Sequence, residues 1–281
     1  MKCVDLHVHS NASDGTLTPK EVVKAAAKAG LSAFALTDHD TVQGVDEAIK
    51  AASNLNLEVI PGVEISTRYK EKEIHIVGLF LDHHDTTLLN GLGNEIDIRN
   101  KRNEALISKF NEYGFPISME EMNTIFPDSV ITRAHFASYM VKKGYVKSTL
   151  DAFKNYLSEG MPLYVPRDKK SPAEAINLIT SAGGVAVLAH PLLYHLTMGE
   201  LKELCLTLKN LGLVGIESMY STYKGFDELS VKQLAKETGL LESGGSDFHG
   251  ANKPHIKIGS GMGTLRINAS YMEALRNAAN H

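Results

Sequence analysis

Short apolar runs, each leading through a polar cluster into an amphipathic stretch, recur along the chain. Val4–Val8 precedes a helix that opens at Thr18-Pro19, where Thr18 can cap, Pro19 suits the first helical position and Glu21 completes a capping box. Ala33–Thr37 precedes a helix near Val42–Asn54, and Glu58–Ile65 precedes a further apolar run, Ile74–Leu81. After a gap the rhythm resumes with Val185–Ala189, Val214–Met219 and Leu240–Gly244, which makes seven candidate strands. Near-continuous apolar strands alternating with helices predict a parallel sheet covered by helices, as in a barrel or a doubly wound fold.

Between about Leu88 and Pro162 the pattern turns helical, with segments around Glu95–Tyr113, Ile131–Gly144 and Thr149–Leu157. The expected organisation is a barrel of residues 1–87 and 163–281 carrying a helical cap, residues 88–162. Loops on the active face of a barrel accept such insertions and shape substrate choice. Gly259–Gly263 spells G-x-G-x-G but lacks the strand and helix of a nucleotide loop, so it reads as a turn.

Composition narrows the class. With 281 residues, 43% hydrophobic and 22% charged, the chain suits one folded barrel with an insertion. A formal charge of −4 gives no general attraction to a polyanion, so duplex DNA is not an expected partner and a phosphate substrate must be held locally. Cys3 and Cys205 are too few for a disulfide framework and read as inert thiols. No secretory pattern precedes Val4, and no run approaches the roughly 18 apolar residues of a membrane span, so the expected location is the cytoplasm.

The chemistry gathers where the candidate strands end. The first ends in His7-Val8-His9, whose histidines point to one side of an extended chain and can grip one ion, and Asp14 follows in the next loop. Thr37-Asp38-His39 ends the second and Gly62-Val63-Glu64 the third, while His75 sits between two isoleucines of the fourth. Ala189-His190-Pro191 and Ser246-Asp247-Phe248-His249 end the fifth and seventh. Singly, each has an ordinary explanation: a hydrogen-bonded core histidine, a helix cap at Asp38, a turn at Asp14-Gly15. Together they would crowd imidazoles and carboxylates onto one rim at high cost unless cations paired them. His83 and His84 read as surface residues, because neighbours on an extended chain point apart, and His195, His255 and His281 have no ligand context.

This set of motifs resembles the polymerase and histidinol phosphatase (PHP) family along the whole chain. The resemblance implies an α/β fold, a distorted (β/α)7 barrel, with two to three divalent ions. Carried over by position, His7, His9, Glu64 and Asp247 hold the first ion, Glu64 bridges to a second completed by His75 and His190, and Asp14, His39 and His249 hold a third. Many three-metal members have histidine where Asp14 stands, which leaves the identity of that ion open. Mixed nitrogen and oxygen ligands suit Mn, Fe or Zn, and Mg less. Within the family the chain is similar to phosphoesterases with a helical insertion that act on nucleoside 3′,5′-bisphosphates or on short RNA from the 5′ end.

The resemblance therefore implies an enzyme that cleaves a nucleotide phosphoester by a hydroxide shared between two ions, with Asp14, His39, Glu64, Asp247 and His249 as the catalytic set. Arg133 and His135, in an Arg-x-His element of the insertion, are expected to hold a second phosphate, and Ser221, beside Tyr220, to touch the substrate. Arg167, Lys169 and Lys170 read more readily as a solvated face. Met161 and Tyr164 fit either the cap mouth or its core. The expected partner is a small phosphorylated molecule or short RNA bound by a monomer or small homo-oligomer. Rival readings are a histidinol-phosphate phosphatase, a C–N-hydrolysing amidohydrolase, for which no lysine stands at a strand end, and a non-catalytic metal-binding interaction module, which typically loses ligands.

Overall fold

The computed structural model describes residues 2–279, so His281 lies outside it. Among the described residues eight strands form one curved sheet: β1 (Cys3–Val8), β2 (Ala33–Leu36), β3 (Glu58–Tyr69), β4 (Lys72–Leu79), β5 (Val185–Leu188), β6 (Leu213–Tyr220), β7 (Leu241–Gly245) and β8 (Ile267–Asn268). Their order is β7-β6-β5-β4-β3-β2-β1-β8. The end of β7 curls back onto β1, where Asp247 N donates to His7 O at 2.9 Å and His9 N to Phe248 O at 3.0 Å. Gly245 permits this seam: a Cβ there would lie 2.1 Å from that of His7. The result is a nearly closed α/β barrel.

The seven strands expected from the pattern are all present, but the sheet is not wholly parallel. β3 and β4 form one long antiparallel hairpin in which Ser66 faces His75 and Gly62 faces Leu79, and β4 also runs antiparallel to β5. A two-residue turn joins β3 to β4, too short for the crossover that a parallel pair needs. The reversal matters for the site: β4 begins at the rim where its neighbours end, so His75, early in β4, meets ligands that lie late in other strands. β8 adds a short antiparallel edge on β1 and is too brief to leave a pattern.

Alternate residues of several strands, including Val4, Leu6, Ala33, Ala35, Val185 and Val187, form an inner apolar cluster with Met272 and Leu275 of the last helix. The helix after β1, Pro19–Lys28 (α1), opens with the expected Thr18/Glu21 capping box. The helix after β2 is shorter than predicted, Val45–Ala52 (α2): Gln43 and Gly44 form a turn ahead of it, in which Val45 N donates to Val42 O at 3.1 Å.

Thr86–Glu112 (α3) starts earlier than predicted because the Asp85 carboxylate accepts Leu88 N at 2.7 Å. Its first half packs Leu88 and Leu92 on the barrel, and its second half places Leu106 and Phe110 in a separate apolar cluster. That cluster is shared with Met119–Ile125 (α4), Arg133–Lys142 (α5), and Thr149–Ala152 (α6) with the π-helical turn that follows it. Thus one helix packs on the barrel with its first half and carries a second apolar cluster with its other half.

Candidate metal centre

Six strands deliver nine metal-capable side chains to one rim. At two of these ends the backbone itself bends: His190 and Asp247 take φ of 27° and 54°, conformations that non-glycine residues rarely adopt outside functional sites. Glu64 lies at the centre. Its Oε2 is 3.3 Å from both His7 Nε2 and His9 Nε2 and 3.0 Å from His39 Nδ1, while Oε1 is 2.8 Å from His75 Nδ1 and 2.9 Å from His190 Nε2. The two oxygens of one carboxylate therefore face different sets of imidazoles. Asp247 Oδ1 stands 3.4 Å from His9 Nε2, and Asp14 Oδ1 stands 3.1 Å from His249 Nε2.

Donor atoms of His7, His9 and Glu64 lie within 4.8 Å of one another, as do those of His39, Glu64 and His75, and those of His9, Asp14, His39 and His249. His39 presents one ring nitrogen to Glu64 and the other, at 3.8 Å, to Asp14. It thus stands between two groups, whereas the position-by-position transfer puts it with the third ion alone.

These residues fit cations. Among the described residues, His7 Nε2, both ring nitrogens of His9, His39 Nδ1 and His190 Nδ1 are buried without a hydrogen-bond partner. Several stand close to carboxylate oxygens yet are not aligned with them, as expected of ligands aimed at a shared point rather than at each other. The protonation pattern agrees. Burial opposes charge on His9 and His75, but Asp247 and Glu64 for the first, and Glu64 and Glu73 for the second, hold them at about 9. Burial also raises Glu64, yet His39, His7 and His75 hold it well below the usual carboxylate range. Protons on His7, His9 and His75 supply positive charge to this acid cluster, whereas burial pushes His39 down to about 3 and leaves it neutral. His249 goes the other way: burial, Lys253 and His9 push it down, which keeps it the neutral imidazole that ligation requires.

A supporting layer fixes the metal-capable side chains. Glu217 lies 2.8 Å from His7 Nδ1 and accepts His190 N at 2.6 Å, tying together two candidate ligands from two strands. Tyr220 donates to Asp247, and Lys253 pairs with the same oxygen. Asp38 does not cap a helix. It accepts from Ser10 N, Ser10 Oγ and Ser13 Oγ at 2.6–2.8 Å and so shapes the loop that carries Asp14. Glu217 left a signal that went unused, namely an acid in the middle of the apolar run Val214–Met219.

Beside the histidines a cleft of about 170 Å³, touched by His39, His75 and Arg133, opens into a narrow recess lined by Arg99, Arg102, Arg133, Arg167, Lys169 and Glu73. Arg167 and Lys169, read above as a solvated face, have side chains only 4% and 7% exposed. Asp40 takes Arg99 and Arg167, and Glu73 takes Arg133 at 3.0 Å and Lys169. Among the described residues Arg102 pairs with no acid: its Nε donates to neighbouring Asn103, Nη2 has no partner, and burial beside Arg99 and Arg133 pushes it down to about 8. Positive charge is therefore in surplus here. Arg133 faces the recess and lies over the Tyr164 ring, while Met161 stands outside the lining.

His135 and Ser221 are placed differently from Arg133. His135 Nδ1 accepts Thr132 N at 2.9 Å, closing a capping box on α5, and its ring packs edge-on to Phe126. Ser221 donates to Ser246 O and lies outside both the cleft and the recess. His83 and His84 do not point apart, because residues 83–84 form a turn rather than an extended segment, and both rings meet Asp46.

Comparison with known proteins places the architecture. A family model described as PHP domain matches residues 5–161. A 5′-3′ exoribonuclease of Haemophilus influenzae is 38% identical over 248 residues, 88% of this chain and 90% of that one. A 3′,5′-nucleoside bisphosphate phosphatase of Chromobacterium violaceum is 34% identical over 260 residues, 92% of this chain and 91% of that one. A crystal structure from Bifidobacterium adolescentis, described as a metal-dependent phosphoesterase, is 27% identical and superposes with a TM-score of 0.88 over 100% of this chain and 97% of that one.

Proposed function

The chain belongs to the PHP family, and on that premise we propose that it is a metal-dependent phosphoesterase for small nucleotides bearing a second phosphate, either a nucleoside 3′,5′-bisphosphate or the phosphorylated end of a short RNA. The observation that carries this reading is the buried surplus of positive charge around Arg102, next to the ligand cluster. A buried cation without a partner is costly, and a dianionic phosphate would relieve that cost. A substrate with a single phosphate, held at the histidines, would leave the recess unused, which argues against histidinol phosphate.

Two to three ions of manganese, iron or zinc would be held by His7, His9, Glu64 and Asp247, by Glu64, His75 and His190, and by Asp14, His39 and His249. Once bound, they supply a hydroxide nucleophile at neutral pH and neutralise charge on the phosphoryl oxygens. The chain's own residues do the rest. Glu217, Tyr220 and Lys253 hold the ligands in orientation. Arg99, Arg102 and Arg133 grip the phosphate that is not cleaved and so set which ester reaches the rim. We assign residues 88–162 the role of a cap over this cleft, supported by their separate apolar cluster, and in place of the phosphate contact expected of His135 we give it the role of fixing Arg133 at the start of α5. Free Cys3 and Cys205 are compatible with a reducing cytoplasm, and no helix among the described residues is long and apolar enough to cross a membrane.

The test is phosphate release from adenosine 3′,5′-bisphosphate, AMP, histidinol phosphate and a 5′-phosphorylated dinucleotide, with manganese-loaded and chelated protein in parallel. Metal-dependent turnover of the bisphosphate or dinucleotide is expected. Preference for histidinol phosphate, or silence on all four with metal bound, would overturn the assignment.

A further inference from the structure

Away from the rim, Asp46, His83 and His84 converge although the sequence separates them. Asp46 lies in the first turn of α2, and the two histidines lie in the connection between β4 and α3. That connection folds as a turn, with Asp85 N donating to Asp82 O at 3.1 Å and His84 N to Asp82 Oδ1 at 2.9 Å. The turn brings the two imidazoles to 4.1 Å between centroids, tilted by 38°. Both Nε2 atoms then face one oxygen, Asp46 Oδ1, at 2.9 and 3.4 Å.

We propose that these three side chains form a peripheral metal site, separate from the catalytic cluster, that takes one borderline divalent ion such as zinc, copper or nickel. Two imidazoles and a carboxylate are the donors such ions prefer, and they disfavour magnesium and calcium. One donor atom from each residue lies within 4.8 Å of the other two. The backbone that carries the donors is anchored to the barrel. Asp82 N donates to Ala182 O at 2.8 Å, and Leu81 and Val45, which flank the donors, are buried in one apolar cluster. His83 is largely covered, while Asp46 and His84 are 68% and 66% exposed on their side chains, so water can complete the coordination and the ion can exchange. An ion here ties the start of α2 to the root of α3, and its effect falls on stability rather than on hydrolysis.

The experiment compares the full chain with His84→Ala and Asp46→Asn. Each protein is first loaded with manganese and then equilibrated with micromolar zinc, and bound ions per chain are counted by elemental analysis. His84→Ala removes an exposed ring and does not threaten folding. Each variant is expected to hold one ion fewer than the unaltered protein, to keep its phosphoesterase activity, and to lose the part of the melting-temperature rise that zinc produces. Equal ion content in all three proteins overturns the proposal, whatever their melting temperatures.

Discussion

Arg102 is 5% exposed and, among the described residues, pairs with no carboxylate, so its role can be separated from that of its paired neighbours. Arg102→Met keeps the volume and removes the charge. It is expected to lower kcat/KM on a nucleoside 3′,5′-bisphosphate by roughly 100-fold, the scale of a lost charge-assisted contact, and to leave a monophosphate ester nearly unaffected. Because an unpaired buried cation is itself unfavourable, the melting temperature of this variant should not fall. Equal losses on both substrates would remove Arg102 from substrate selection. The contrast between ligands and recess also explains what the sequence reveals. His7, His9, His39 and His190 stand out because each interrupts or ends an apolar strand. Glu95, Arg99, Arg102 and Asn103 recur at helical spacing, as a solvated stripe would, and only the packing of α3 against the rim turns that stripe inward.

Among the elements, the β3–β4 hairpin was the least legible. Strand periodicity fixes which side chains share a face but not the direction of the strand, and Lys70 turns with φ 51° where glycine or asparagine would normally announce a hairpin. Seven of the eight strands, and the Thr18 cap of α1, follow directly from local pattern. The seam between β7 and β1 tests how narrowly the barrel is built. Gly245→Ala would force its new methyl into the Cβ of His7, so it is expected to destabilise the fold by about 3 kcal/mol or more and to weaken metal binding at His7 together with it. Urea denaturation with and without manganese measures both effects. A variant as stable as the unaltered protein would mean that the seam opens at little cost.

At the scale of the whole molecule, protons and cations compete for the same cluster. His9 and His75 are held at about 9, and His7 well above its ordinary value, whereas unfolded histidine titrates near ~6.5. The extra protons of the folded form therefore stabilise it fully below ~6.5, and that stabilisation is lost as pH rises through about 9. Ions displace these protons, so metal affinity rises across the same interval. The melting temperature of chelated protein should fall from neutral pH towards pH 9 while that of manganese-loaded protein holds. Parallel curves would refute this exchange.

The same seam has a consequence in time. Asp5 and Ser246, which it joins, stand 241 positions apart, and the candidate ligands His7 and His9 are separated from Asp247 and His249 by almost the same span. A chain still being synthesised exposes its first two histidines early but has no complete cluster until residue 249 has been added and has folded back. The full set of metal-capable side chains therefore assembles only after the barrel has closed, and a nascent chain carries the histidines of β1 without the partners that complete their cluster.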